Sequence, residues 1–159
     1  MSDVKIRPAQ PQDYDDLCCL FDEVDSLHRD SLPSIFRRPL GVVRDKDYLL
    51  GLMVDKTTLL LVAEVNEKLV GIAHAIIRES PPIPVFVSRR YAIIDSIIVN
   101  KAMRHQGIGH LLADKVDEWA KSQGATSVEL NVYEFNKDAL KFYETLGYST
   151  LSRKMSKSV

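Results

Sequence analysis

The spacing of apolar residues changes several times along the chain, and each change predicts an element. Residues 4–7 (Val4, Lys5, Ile6, Arg7) alternate before Pro8 and predict a strand at a sheet edge, where a residue without an N–H does least harm. Pro11 can then open a helix. Tyr14, Leu17, Cys18, Phe21, Val24 and Leu27 follow at helical spacing, with Asp13, Asp15 and Asp16 in the first turn, where the helix dipole favours acids. Residues 28–39 mix polar and apolar positions around Pro33 and Pro39 and predict a loop. Tyr48, Leu49, Leu52 and Met53 give residues 44–54 an apolar helical face, although Gly51 lowers its propensity. Residues 57–65 and 68–79 read as strands joined by Asn66 and Glu67, a spacing that fits a tight hairpin of central antiparallel strands.

Pro81, Pro82 and Pro84 cannot donate to a ladder, so a loop follows, and we expect it to reach over a pocket. Residues 93–99 form a short run rich in β-branched side chains, the pattern of a strand buried on both faces, with Asp95 alone inside it. A glycine turn follows, and Ile108, Leu111, Leu112, Val116, Trp119 and Ala120 then mark one face of a helix. Gly124 suits its stop, and residues 127–132 read as another strand. Asn136 can cap a short helix carrying Ala139, Leu140, Phe142, Tyr143 and Leu146. Gly147 ends it, residues 148–152 are expected to form a last strand, and the polar tail 153–159 to fray. The order is strand, two helices, three strands, helix, strand, helix, strand, without internal repeats. That order fits neither a helix bundle nor a regular doubly wound sheet.

With 159 residues, 45% of them hydrophobic, the chain is expected to form one domain over residues 1–159 with a substantial core. Lys and Arg total 21 against 22 Asp and Glu, a formal charge of -1, so the bulk basicity of a nucleic-acid or membrane-surface binder is absent. Any anion site must be local. The only cysteines, Cys18 and Cys19, are adjacent, which suits neither a disulfide framework nor spaced metal ligands. With no signal-like N-terminus and no apolar run long enough to span a bilayer, a soluble, cytoplasmic protein is expected.

The turn itself carries chemistry. Gly107 and Gly109 permit torsions and close approaches that a Cβ would forbid, and they precede a helix start. There the first N–H groups lack intrahelical partners and the dipole is positive, so a phosphate is the natural guest.

Arg104, His105, Gln106, Gly107, Ile108 and Gly109 after a buried strand, combined with the run from Asn136 through Ala139, Phe142 and Tyr143 to Gly147 and Tyr148, resemble the GCN5-related N-acetyltransferase (GNAT) superfamily. The resemblance is close over residues 93–148, and the element order extends it over nearly the whole chain. It implies an α/β fold, α+β by some schemes: a mixed, mostly antiparallel sheet flanked by helices, with a splayed central strand pair. Acetyl-CoA would lie in that splay as acyl donor. Backbone groups at Ile97 and Val99 would hold its pantetheine arm. Amides from Gln106, Gly107, Ile108, Gly109 and His110 would hold its pyrophosphate, with Arg104 and Asn136 as further cofactor contacts.

Such a reaction needs a neutral amine, and a lysine-like amine of pKa about 10.4 is neutral in on the order of one molecule in a thousand at pH 7. Asp95 is the candidate base: it interrupts an apolar strand beside the implied cleft, burial is expected to raise its pKa, and it aligns with the acid that many relatives use. Many of those carry the longer glutamate, so action through water or simple positioning of the ammonium belongs to the same reading. The competing account is an Asp paired with an Arg or a backbone donor. Tyr143 stands where the family protonates the departing sulfur, which a phenol does without ionising first; its rival role is core packing beside Phe142. Asn136 can cap its helix and contact cofactor together.

His105 and His110 lack ligand company and His28 and His74 read as weaker still, so no metal is expected. Glu23, Glu79 and Tyr91 are acceptor contacts by position alone, and a structural role is the simpler account. Arg37 with Arg38 and Arg89 with Arg90 are too few for a nucleic-acid footprint. The expected partner is a small-molecule or peptide amine acceptor, with no nucleic acid and no membrane, and the resemblance adds a homodimer. The alternative from another class is a non-catalytic acyl-CoA-sensing module on the same fold, which leaves Asp95 and Tyr143 without a common purpose. A dinucleotide domain is disfavoured, because the glycine spacing differs from Gly-x-Gly-x-x-Gly.

Overall fold

A computed structural model describes residues 3–159. Strand β1 (Lys5–Pro8) leads through a 3₁₀ turn (Pro11–Asp13) into helix α1 (Tyr14–Ser31), and a loop then reaches α2 (Lys46–Val54), where the Asp45 carboxylate accepts from the Tyr48 N–H. Strands β2 (Thr58–Val65) and β3 (Lys68–Glu79) form the expected hairpin. Asn66 and Glu67 both take positive φ (49° and 62°), the twist that a two-residue hairpin turn requires. Strand β4 (Arg90–Val99), helix α3 (Ile108–Ser122), strand β5 (Val128–Leu130) and helix α4 (Lys137–Thr145) complete the fold.

The strands lie in the order β1-β2-β3-β4-β5, antiparallel except for the parallel pair β4 and β5. Side-chain alternation gives the sheet two apolar faces. Leu60, Val62, Ile72 and Ile98 pack against Leu17, Leu20 and Phe21 of α1 and Leu49 of α2. Leu61, Ala63, Ala73, Ala75 and Ile94 pack against Ile108, Leu112 and Val116 of α3. Burying each of the larger side chains is worth roughly 1.5–3 kcal/mol, so both faces are needed to hold the single sheet. This is the mixed, mostly antiparallel, helix-flanked architecture expected from the sequence.

Two expectations fail. No strand forms over residues 148–152, where the chain leaves α4 without a ladder partner and Tyr148 instead sets its ring against Tyr143, centroids 5.6 Å apart. Strand β5 is also shorter than residues 127–132, because it pairs with β4 only from Ala92 to Ile94 and then diverges. No helix among the described residues is long and apolar enough to cross a membrane.

Candidate active site

The register of β3 against β4 slips between His74 and Ala75: His74 faces Ser96, Ala75 faces Ile94, and Asp95 has no partner. Asp95 is therefore the extra residue of a β-bulge, which aims it out of the ladder. The slip reverses the strand's alternation. Ile94 before it and Ile97 and Val99 after it all belong to the face covered by α3, whereas Ile98 joins the α1 face. The parallel pairing to β5 ends at Ile94, one residue before the bulge.

A cleft of about 530 Å³ opens there. Asp95, Ser96 and Ile97 line it from β4, Asn131 and Tyr133 from the segment that leaves β5, and Asn136 and Tyr143 from the start and middle of α4. Helix α1 and the loop after it contribute Asp25, His28, Phe36 and Arg44 to the lining. Four of the expected site residues, Asp95, Tyr143, Ile97 and Asn136, thus share one cavity. Val99, Arg104, Gln106, Gly107, Ile108, Gly109 and His110 do not line it and lie at the other end of β4.

That other end is built by the glycines. Gly107 sits at φ 82°, the left-handed conformation that a side chain would strain, and serves as the N-cap of α3. The first backbone bond of the helix runs from the Leu111 N–H to the Gly107 carbonyl, which leaves the N–H groups of Ile108, Gly109 and His110 without intrahelical partners. At Gly109 a Cβ would meet the Phe142 ring at 3.1 Å, so α3 begins in direct contact with α4. His110 sets its ring edge-on to Phe142, 5.2 Å between centroids, and the Arg104 Nε–H donates to the Val99 carbonyl at 3.0 Å. Donor amides, a positive helix end and an adjacent strand gap fit an anionic diphosphate joined to an extended arm.

Asp95 departs from the expected electrostatics. Its side chain is 54% exposed toward the cleft. His74 Nδ1 lies 3.1 Å from Asp95 Oδ2, and the Ser96 hydroxyl donates to the same oxygen at 3.2 Å. The hydrogen bond from His74 lowers the carboxyl pKa below its ordinary value, and it outweighs the desolvation that pulls upward. Burial does not raise it. Asp95 is consequently ionised at neutral pH.

His74 is 2% exposed, and among the described residues its Nε2 has no hydrogen-bond partner. Its role was missed from sequence, where a lone histidine in an apolar strand was the available signal. Asp25 and Arg44 were missed as well: Arg44 donates to both Asp25 oxygens at 2.7 and 3.3 Å and lies over the Phe21 ring. His28, read as a weak site candidate, lines the cleft and packs against Phe36 and Tyr133 at 5.2 and 5.5 Å.

Tyr143 is held by burial, with Tyr148 nearby, well above the usual phenol pKa, so it keeps its proton. The Asn136 side chain accepts from the Ala139 N–H at 3.1 Å, which is the capping role, while the residue also lines the cleft. Glu23 binds the Asn100 side chain and the Lys101 N–H, tying α1 to the end of β4. The basic pair is consumed locally, Arg89 by Glu129 and Arg90 by Glu79. The prolines at 81, 82 and 84 do not line the cleft, contrary to expectation. Among the described residues no group of three or more His, Cys, Asp or Glu side chains could hold a metal ion.

Comparison with known proteins agrees with this geometry. An uncharacterized N-acetyltransferase of Methanocaldococcus jannaschii is 39% identical over 87 residues, 55% of this chain and 37% of that protein, so the match spans little more than a third of the relative's length. A crystal structure of a variant of the BH1408 protein from Bacillus halodurans superposes with a TM-score of 0.92 at 25% identity, over 98% of this chain and 99% of that one. An aminoglycoside antibiotic 6'-N-acetyltransferase from Acinetobacter baumannii shares the fold at a TM-score of 0.75 and 18% identity, over 99% and 98% of the two chains. The profile of the acetyltransferase (GNAT) family matches residues 21–148, a span that takes in the strand splay, the glycine turn and α4. This chain belongs to the acetyltransferase (GNAT) family.

Proposed function

We propose that the protein is an N-acetyltransferase that moves an acetyl group from acetyl-CoA to a primary amine by direct attack. The observation that carries this reading is the meeting of Asp95 and Tyr143 on two walls of the cleft that opens where β4 parts from β5. Acetyl-CoA, when bound, supplies the thioester whose C–S bond is exchanged for a C–N bond.

The chain's own groups then divide the work. Amides of Ile108, Gly109 and His110 hold the diphosphate, with Gln106, Gly107 and Arg104 shaping the turn. Backbone groups at Ile97 and Val99 align the arm, and Asn136 fixes the start of α4. This contributes orientation, which converts a bimolecular encounter into attack within one cavity. The Asp95 carboxylate receives the acceptor's ammonium and provides the exit for its proton. Tyr143, kept protonated by burial, donates to the departing sulfur. His74 is a positioning residue, since it does not line the cleft and its one side-chain hydrogen bond among the described residues is to Asp95.

An acetyl-CoA-dependent screen of pooled amines and peptides, read by product mass and thiol release, tests the assignment. Release that depends on an amine and falls in Asp95→Ala and Tyr143→Phe supports it. Tight CoA binding with no release for any amine would instead favour a sensing module.

A further inference from the structure

The cleft's lining is specific enough to name the class of amine, on the reading that this is the acceptor end of an acetyltransferase. We propose that the acceptor is a small monoamine carried on an aromatic or otherwise apolar body, and that polycationic amines are excluded.

The first observation is a wall of rings. His28, Phe36 and Tyr133 come from three separate segments: α1, the loop after it, and the chain that leaves β5. They meet pairwise with centroids 5.2, 5.5 and 5.6 Å apart. All three line the cleft, and Tyr133 remains 42% exposed. Phe135 stacks on Tyr133 from behind, 5.8 Å away and inclined by 20°, which fixes the plane of that ring. A rigid aromatic surface left open to a cavity offers apolar area and edge or face contacts to a flat guest at little entropic cost.

The second observation is the balance of charge. The cleft is lined by two carboxylates, Asp25 and Asp95, and three guanidiniums, Arg29, Arg37 and Arg44. Asp25 is already occupied by both terminal nitrogens of Arg44. Arg29 is held by Asp22 and Ser26, and Arg37 stands in no ion pair among the described residues. Asp95 is therefore the one lining carboxylate without a guanidinium partner, and it suits one ammonium. A second or third ammonium on the same guest would find no free carboxylate on the lining, because Asp25 is taken by Arg44, and the one uncompensated side-chain charge it would meet there is the Arg37 guanidinium, which repels it. At about 530 Å³, the cleft must also admit the thioester end of the donor, which leaves room for a small body only.

The test uses the full chain with acetyl-CoA and four probes: 2-phenylethylamine, tyramine, spermidine and kanamycin. Thiol release should give kcat/KM for the arylalkylamines at least about tenfold above either polycation, the discrimination expected from burying an apolar group. Tyr133→Ala should raise KM for 2-phenylethylamine about tenfold with kcat nearly unchanged, because it removes binding that ground and transition states share. Arg37→Glu, at an exposed position, should improve the use of spermidine. Binding is followed separately by ligand-detected NMR with CoA present. If 2-phenylethylamine binds, and binds more weakly to Tyr133→Ala, yet no thiol is released, the class of amine assigned to the cleft stands as its ligand and the acetyltransferase reading falls. If spermidine or kanamycin binds or reacts better than the arylalkylamines, or if the arylalkylamines neither bind nor react, the proposed class is overturned.

Discussion

At the outer edge of the sheet, Arg7 of β1 donates to both oxygens of Asp13 at 2.7 and 3.0 Å and to Glu64 of β2 at 3.0 Å, and Asp13 also takes the Gln10 N–H at 2.8 Å. Asp13 is 6% exposed, and each of its oxygens has a donor. In the middle of the same sheet, His74 and Asp95 make a single contact at 3.1 Å, one imidazole nitrogen is buried without a partner, and half of the carboxylate faces a cleft. Both sites hold a carboxylate below its ordinary pKa through a hydrogen bond from a basic side chain. The first turns both oxygens to donors of the protein itself. The second keeps lone pairs for something that arrives, which separates a clasp from a binding group on physical grounds alone.

The largest expected effect comes from breaking the open pair. Asp95→Ala should lower turnover with the true acceptor by about 10²- to 10⁴-fold, the usual reach of a group that handles a proton. CoA affinity should stay close to wild type, and stability should fall by no more than roughly 1–3 kcal/mol, the cost of leaving the buried His74 imidazole without its one hydrogen bond. Equal turnover, or a collapse in melting temperature, would erase the contrast. Asp13→Asn should do the reverse, costing roughly 1.5–3 kcal/mol of stability by removing one charged partner of the half-buried Arg7 guanidinium and leaving it Glu64 alone, with turnover per folded molecule unchanged. The sign of its pH dependence follows from Arg7, which lowers the Asp13 pKa. The clasp's contribution is fully present above the ordinary value of 3.8 and is lost as pH falls through the depressed folded value. Urea unfolding at pH 7 and pH 3 should therefore show the gap between wild type and variant narrowing in acid.

Tyr143→Phe removes the donor on the facing wall and should reduce turnover roughly 10- to 100-fold without weakening CoA binding, as separated by single-turnover and calorimetric measurements. The smallest effect on stability is expected for His74→Leu. Replacing a buried ring that has an unpartnered nitrogen by an apolar side chain should change stability by no more than about 1 kcal/mol. The Asp95 carboxyl, freed of the hydrogen bond that most lowers it, should titrate at higher pH, and the acid limb of the rate profile should move upward with it. Carboxyl-detected NMR titration reads this without a substrate. An unmoved Asp95 would mean that the pair is not coupled.

What the sequence made legible was local. The hairpin at Asn66 and Glu67, the Asn136 cap and the left-handed turn at Gly107 each depend on torsions or hydrogen bonds within a few residues, and each stands where the pattern placed it. The partners of Asp95 depend on register. β3 and β4 are joined by a long irregular loop rather than a tight turn, so no spacing rule aligns His74 with Ser96, and a one-residue slip lies between. The same cause hid the pairing of Asp25 with Arg44, which crosses from α1 to a loop without periodicity. Residues 148–152 carry the β-favouring Tyr148 and Thr150, but they pair with no strand, and β5, the edge strand at that side of the sheet, is only three residues long. The depressed pKa of Asp95 escaped the sequence because exposure and the neighbour across the ladder set it, and neither is written in the run of isoleucines around it.

The bulge at Asp95 also makes this part of the chain respond unequally to two kinds of genetic change. A point substitution there alters one side chain and leaves the strand in phase on both sides. Removal of a single codon would restore a regular ladder and rotate either Ile94 or the residues that follow by one step, exchanging the side chains offered to α1 and α3 across the middle of the sheet. Drift can therefore silence the carboxylate one base at a time while the length of β4 stays fixed. Among homologues, this strand is expected to vary in letter at Asp95 long before it varies in residue count, a pattern that a gap-counting survey of sequences can read directly.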